Sequence, residues 1–429
     1  MLIKEIIMKN TFLMNMHRML VEKRSILNAK KNFIEESKIQ RDSKVIKVGF
    51  LCQYIPAWNK FESIYNYMLH NDNFEPYIFC VPYGIHNNVL DNPEAENDTY
   101  EYFINKGYDA INTLVARDEW LNIKNYGLHY IFYTRPYNIF MPKEYHSEIL
   151  SKYMKICSLM YGISITKDNI KTTINFDFYS NTYCYFAESQ ETKNYFDNCF
   201  KYNIALGYQK AVCCGLPVLS NFISKKNEKS DSWNFSSNSY RVIWTPRWST
   251  DKKSGGSNFF KYHEILLDYA DSNKKIDFLF RPHPLMFENF LKTGEMTLDD
   301  INTFKNNCIQ RSNVQLDTES EYTATFWNSS LLITDLSSII PEYFLTGKPI
   351  MFCVSNMFLK VTDDMEKMMK GMYIIHDENE LISCLKMLYK GEDPLKETRI
   401  KLIPELFKES MESPESKIAQ ELLKNSKKN

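Results

Sequence analysis

Two short apolar runs that stop abruptly in polar residues constrain this chain more than any other feature. The first, Ile276–Phe280, is closed by Arg281, Pro282, His283 and Pro284. The second, residues 331–333, is closed by Asp335, Ser337 and Ser338, with a helix expected from Ile339. Each run reads as a buried strand, and strands alternate with helical patterns along most of the chain. That alternation predicts an α/β fold with doubly wound parallel sheets. In such sheets ligands bind outside the carboxyl ends of the strands, so the histidine and the serine pair are expected on one ligand-facing rim. Unpaired helix-start amides and serine hydroxyls suit phosphate oxygens. The pattern points to a diphosphate-bearing substrate.

With 429 residues the chain exceeds one ordinary core, and two domains are expected. Strands are predicted at residues 45–51, 76–81, 130–133, 155–159, 182–187 and 211–214, then at 241–245, 276–280, 331–334 and 349–354. The predicted division is an N-terminal amphipathic helical segment (1–40), a first α/β domain (41–225), a linker (226–240), a second α/β domain (241–405) and a C-terminal helix (406–429). The linker rests on a Ser-, Asn- and Lys-rich stretch without periodicity.

Charge and composition remove several classes of function. A formal net charge of −1 gives no general attraction to nucleic acid. There is no P-loop, no Asp-x-Asp at a strand end and no G-x-S-x-G, which disfavours metal-dependent transfer and serine hydrolysis. No cofactor and no metal site is expected. Ten cysteines without a C-x-x-C pair fit reduced, core-filling thiols in a cytoplasmic protein. No apolar run is long enough to span a membrane. Residues 1–39 carry too many charges for a signal peptide and read as a basic, apolar helix. Two readings of it stand: a helix docked on the first domain or in a dimer contact, and a peripheral contact with anionic lipid.

The candidate site residues follow from the strand ends. His283, held between prolines, could donate to a phosphate or protonate a leaving group. Arg247, in Trp244-Thr-Pro-Arg247-Trp248, and Arg281 add positive potential on the same rim. Ser337, Ser338 and Asp335 are candidate ligands that would otherwise serve as helix caps. Glu342, one turn on, could reach a ribose hydroxyl or be a solvated helix residue. Lys348 could face phosphate, with a surface turn as the plainer role.

The second half of the chain resembles the CDP-glycerol glycerophosphotransferases, which make poly(polyol phosphate) chains such as teichoic acids and some capsules. The family's R-P-H-P matches Arg281 to Pro284, and T-D-x-S-S-x-x-x-[DE] matches Thr334 to Glu342. K-P-I-x-F matches Lys348 to Phe352, and A-P-T-W-R is similar to Trp244 to Trp248. In the first half, Gly215-Leu-Pro217 is similar to the family's G-Y-P, with Ser220 in place of its final acid. The resemblance implies a GT-B fold, two Rossmann-like domains facing across a cleft, and metal-independent transfer of a polyol phosphate from a CDP-linked donor. The implied acceptor is a hydroxyl of a lipid-linked or surface polymer, and the implied place is the inner face of the cell membrane.

One departure stands out. Where the family carries W-H-G-T, whose histidine is taken as the base on the acceptor, this chain has Met160-Tyr161-Gly162-Ile-Ser164. Tyr161 and Gly162 are therefore the acceptor-side candidates, with Tyr161 in the catalytic position. An ordinary tyrosine is a poor base at neutral pH, which leaves His146, His129 or a different acceptor. Rival readings are a transferase using CMP-sialic acid or another nucleotide sugar, and a degenerate member that binds without turnover.

Overall fold

The computed structural model describes residues 11–41, 44–86, 89–90, 97–117, 119–160, 162–235, 240–252, 255–319, 321–355 and 360–426. The chain divides into two units. Unit 1 comprises residues up to Ile163, Ile170–Val218 and the chain from Glu412 on; unit 2 comprises Ser164–Asn169 and Leu219–Met411.

Unit 1 is built on β1 (Ile46–Cys52), β2 (Phe74–Cys80), β3 (Ala110–Asn112), β4 (Tyr130–Tyr133), β5 (Lys155–Leu159), β6 (Thr182–Ala187) and β7 (Lys210–Cys213). They form one parallel sheet in the order β7-β6-β5-β4-β1-β2-β3. Central strands buried on both faces need continuous apolar side chains. Accordingly β4 reads Tyr-Ile-Phe-Tyr and is buried throughout. Aromatic residues fill the layer above β1, where Trp58 meets Phe50, Tyr65, Phe103 and Tyr108 at ring distances of 4.8–6.0 Å.

Unit 2 holds β8 (Tyr240–Thr245), β9 (Ile276–Phe280), β10 (Val314–Leu316), β11 (Leu331–Thr334), β12 (Ile350–Cys353) and β13 (Tyr373–Ile375). Their order is β10-β9-β8-β11-β12-β13, again all parallel. In each unit the strand order reverses beside the first strand, as in the dinucleotide-binding 3-2-1-4-5-6 arrangement. Each unit therefore has its own crevice: β1/β4 in unit 1 and β8/β11 in unit 2.

The segments outside the strand series are integral to their units. The helix Thr11–Ser37 packs on unit 1 through Ser25, Ala29, Asn32 and Glu36, all buried. Asn203 donates to Ser25 Oγ at 3.0 Å, Asn32 donates to Asn181 at 2.8 Å, and Arg41 pairs with Glu36 at 2.7 Å. The C-terminal helix Pro414–Ser426 also belongs to unit 1, where Tyr130 OH donates to the Leu422 carbonyl at 3.0 Å. Within the expected linker, Trp233 is buried and donates to the Thr325 carbonyl at 3.1 Å, so the chain around it packs into unit 2. All ten cysteines are free thiols, and seven of them are buried. Among the described residues no helix is long and apolar enough to cross a membrane.

Candidate active site

The crevice of unit 2 is built where β8 and β11 end side by side. Thr245 Oγ1 donates to Thr334 Oγ1 at 2.8 Å, which ties the two strand ends together. One residue on, Asp335 is almost fully buried and joins three segments. Its Oδ2 accepts from the Arg247 backbone N–H at 2.8 Å and the Asn258 N–H at 3.2 Å; its Oδ1 accepts from Asn258 Nδ2 at 2.6 Å. Burial raises the Asp335 pKa and these hydrogen bonds oppose the rise. Asp335 thus shapes the loop between β8 and the helix Phe259–Ser272, with its acceptor capacity spent inside the protein.

Arg247 is held by that loop. Its Nη1 donates to the Leu336 carbonyl at 2.5 Å, while its Nε is buried without a hydrogen-bond partner. Burial lowers its pKa, and Asp335 acts in the opposite direction. Gly255 allows this placement: its φ is +109°, and a Cβ there would stand 3.3 Å from Arg247 Nε. Leu336 leads into Ser337 and Ser338. The helix that follows is short, Ile340–Phe344, and its N-cap is Ile339. Ser338 is therefore not a cap; its hydroxyl is exposed and makes no hydrogen bond among the described residues. Ser337 Oγ accepts only a long contact, 3.5 Å, from Ile339 N–H.

His283 lies on the loop after β9, accessible to solvent, with its ring 6.4 Å from that of Trp248. The Leu285 N–H donates to Nδ1 at 3.2 Å, so the neutral ring carries its proton on Nε2. Crowding by surrounding protein and the neighbouring Arg247 charge push its pKa below the ordinary histidine value. The result is a neutral donor that stays neutral next to an arginine.

Other expected residues have different duties. Arg281 is committed to Asp317 at 2.6 Å and to the Glu319 carbonyl at 2.6 Å, and its guanidinium lies 5.2 Å from the centre of the Tyr322 ring. Its charge is largely offset by the buried Asp317, so it orders the loop after β10. Glu342 is buried and accepts from Tyr322 OH, which excludes the solvated reading and links it to the same cluster. Lys348 is neither a surface turn nor a phosphate ligand. Its ammonium donates to the Trp327 carbonyl and, at 2.6 Å, to the Ser329 carbonyl, and burial lowers its pKa to about 8. Tyr161 lies outside the described residues; Gly162 follows β5 in a bend. His129 precedes β4, and its Nδ1 accepts from Lys47 N–H at 3.1 Å. That places it at the amino end of the sheet, away from any ligand-facing rim. His146 opens the helix Ser147–Leu150 beside Tyr145, whose carbonyl accepts from Tyr133 OH at the carboxyl end of β4.

Three contributors went unrecognised in the sequence: Asn258, Asp317 and Gly255. Asn258 carries a readable signal, an Asn directly before an amphipathic helix. Asp317 does not, because its partner Arg281 is 36 residues away.

Residues 153–416 match the family model described as CDP-Glycerol:Poly(glycerophosphate) glycerophosphotransferase. Among solved structures the chain is similar to the wall teichoic acid polymerase TagF, with 14% identity, a TM-score of 0.56, and coverage of 96% of this chain and 98% of that one. It is also similar to UDP-GlcNAc 2-epimerase from Neisseria meningitidis bound to UDP-GlcNAc, with 12% identity, a TM-score of 0.56, and coverage of 89% and 99%. No curated protein matches the sequence. These likenesses agree with the two Rossmann-ordered sheets in giving a GT-B fold. Since the family model spans more than half of the chain and includes the whole β8/β11 crevice, the chain belongs to the CDP-glycerol glycerophosphotransferase family and is a transferase of that type.

Proposed function

We propose that the enzyme moves a polyol phosphate, glycerol phosphate or a close relative, from a CDP-activated donor to a hydroxyl of a teichoic acid or capsule-like surface polymer, without a metal ion. The observation that carries this reading is the set of donors at the β8/β11 crevice. Arg247 has an unmet, buried Nε–H, His283 presents Nε2–H, and the Ser338 hydroxyl is unengaged. All three are hydrogen-bond donors on strand-end loops of one sheet, and a diphosphate offers only acceptors. As the bond to the donor phosphate breaks, negative charge grows on the departing CMP. Fixed donors already in place stabilise that charge more than they stabilise the ground state. Asp335, a carboxylate at the crevice, already accepts from the Arg247 and Asn258 amides, so it stays with the scaffold.

Arg281, Tyr322 and Glu342 are positioning residues in this reading. They fix the loop that carries His283 and the start of the Ser337–Ser338 helix turn. Tyr161 and Gly162 remain the proposed acceptor side, with His146, rather than His129, on the carboxyl side of the sheet. Transfer from radiolabelled CDP-glycerol to a lipid-linked acceptor should persist in EDTA. Loss of transfer, restored on adding magnesium or manganese, would refute the metal-free mechanism.

The N-terminal helix supports action at a membrane surface. Its docked residues Ser25, Ala29, Asn32 and Glu36 occupy one side at 3.6 residues per turn. The opposite side exposes Met16, Met19, Leu20, Leu27 and Ile34, with Lys23, Arg24, Lys30 and Lys31 also exposed. An apolar stripe bordered by cations is what an anionic lipid surface attracts. The enzyme would thereby sit peripherally at the inner face of the membrane, beside a lipid-linked acceptor.

A further inference from the structure

The crevice of unit 1, where β1 and β4 end, contains an arginine that forms no ion pair among the described residues. Arg135 follows β4 by two residues and precedes Pro136, which confines its backbone to extended conformations. Its guanidinium lies over the Phe140 ring, 3.5 Å from the centre, and 5.2 Å from the centre of the Tyr54 ring. Tyr54 in turn stacks on Tyr83 at 5.8 Å. Among the described residues no carboxylate pairs with Arg135 and no acceptor takes its N–H groups. Two carboxylates bond to its neighbours and form no ion pair with it: Asp98 accepts from Tyr83 N–H at 3.1 Å, and Asp177 from Asn138 Nδ2 at 3.0 Å.

A second polar group at this crevice is also unmet. Gln53, the residue after β1, is fully buried. Its N–H donates to Thr134 Oγ1 at 3.4 Å and its Nε2 to the Tyr83 carbonyl at 2.6 Å, but its Oε1 has no partner. An aromatic ring stacked against a guanidinium removes water from that face and restrains its plane. The N–H edge is left as the only polar part, and that edge matches a phosphate in a bidentate geometry. A guanidinium held against aromatic rings with its N–H edge free is placed to receive an anionic ligand. The arrangement is built, because Pro136, Tyr54 and Phe140 leave the side chain little freedom.

We propose that the β1/β4 crevice of unit 1 is a phosphodiester subsite in which Arg135 grips a backbone phosphate of the polymer acceptor. The identification of the ligand as a polyol phosphate polymer rests on the function proposed above; the preference for a phosphate does not. The subsite lies at the switch point of its own sheet, where this fold presents ligands. It would hold a phosphate within the growing chain, and thereby set its register, while taking no part in the bond exchange.

The test uses the full-length protein and a short synthetic oligo(glycerol phosphate), with phosphate-free polyglycerol as comparator, in calorimetry at low and high salt. The wild type should bind the phosphate oligomer and not polyglycerol, and more weakly at high salt. Arg135→Gln should weaken oligomer binding by about tenfold, with Arg135→Lys intermediate because it keeps the charge but loses the fork. CDP-glycerol affinity should stay within about twofold in both variants. Wild-type oligomer affinity in Arg135→Gln would overturn the subsite, as would equal binding of polyglycerol by the wild type. Loss of a cooperative melting transition in both variants would assign Arg135 a purely structural role and overturn it too. If CDP-glycerol fails to bind the wild type, the donor reading fails, while the oligomer result still decides the phosphate subsite.

Discussion

His283 shows how a single side chain can be tuned by what surrounds it. Its Nδ1 accepts a backbone N–H, and Arg247 stands near enough to disfavour a second positive charge. Both effects favour the neutral ring, whose Nε2–H is a donor for a phosphate oxygen. Replacing it with Ala should lower kcat/KM for CDP-glycerol by about a hundredfold, the scale of one lost donor to developing charge. Unfolding midpoints should barely move, since the side chain is exposed. A steady-state transfer assay beside a denaturant melt checks both. The pH dependence has a definite sign. A pKa lowered from 6.5 keeps the ring neutral as pH falls through that value, so any acid limb of kcat/KM due to His283 lies below pH 6.5. An acid limb above that value in the wild type that disappears in His283→Gln would contradict this tuning.

At the scale of elements, the strand ends are joined by polar cross-links, and Asp335 is the most connected of them. Asp335→Ala would leave the Arg247 and Asn258 amides buried without an acceptor. That should cost about 2–4 kcal/mol of stability, measured by urea unfolding, and disorder the Arg247 loop. The buried strands were legible in the sequence because they are short, continuous apolar runs: residues 130–133, 155–159, 182–187, 276–280 and 331–334 are found where expected. Three strands of the two large sheets were not, namely Ala110–Asn112, Val314–Leu316 and Tyr373–Ile375. All three are sheet edges, three residues long and only partly buried, so they carry no apolar run to recognise. The same limit hid Asp317, which sits just past the edge strand β10. Arg247, His283 and the two serines were legible because strand-end motifs are local. The internal duties of Arg281, Glu342 and Lys348 were not, because their partners are set by the tertiary fold.

The whole molecule combines two Rossmann-ordered sheets with helices at both chain ends docked on unit 1. The N-terminal helix has two faces with different work, which changes how its role can be tested. Removing residues 1–39 would strip the partners of Asn181 and Asn203 as well as the apolar stripe, so deletion confounds the two. Substituting Leu20, Leu27 and Ile34 together by Glu should reduce binding to phosphatidylglycerol vesicles by at least about tenfold in sedimentation. It should leave melting and CDP-glycerol affinity unchanged. Undiminished vesicle binding would assign the exposed stripe to some other contact.

The reading of the β8/β11 crevice as a CDP-donor site is tested most directly by calorimetry with CDP-glycerol, CDP-ribitol, CMP-sialic acid and UDP-GlcNAc on the wild type, Arg247→Gln and His283→Ala. Binding should be strongest for a CDP-linked polyol and weakened by about tenfold or more in each variant. Preference for CMP-sialic acid or UDP-GlcNAc, or CDP-polyol binding that neither substitution alters, would contradict it.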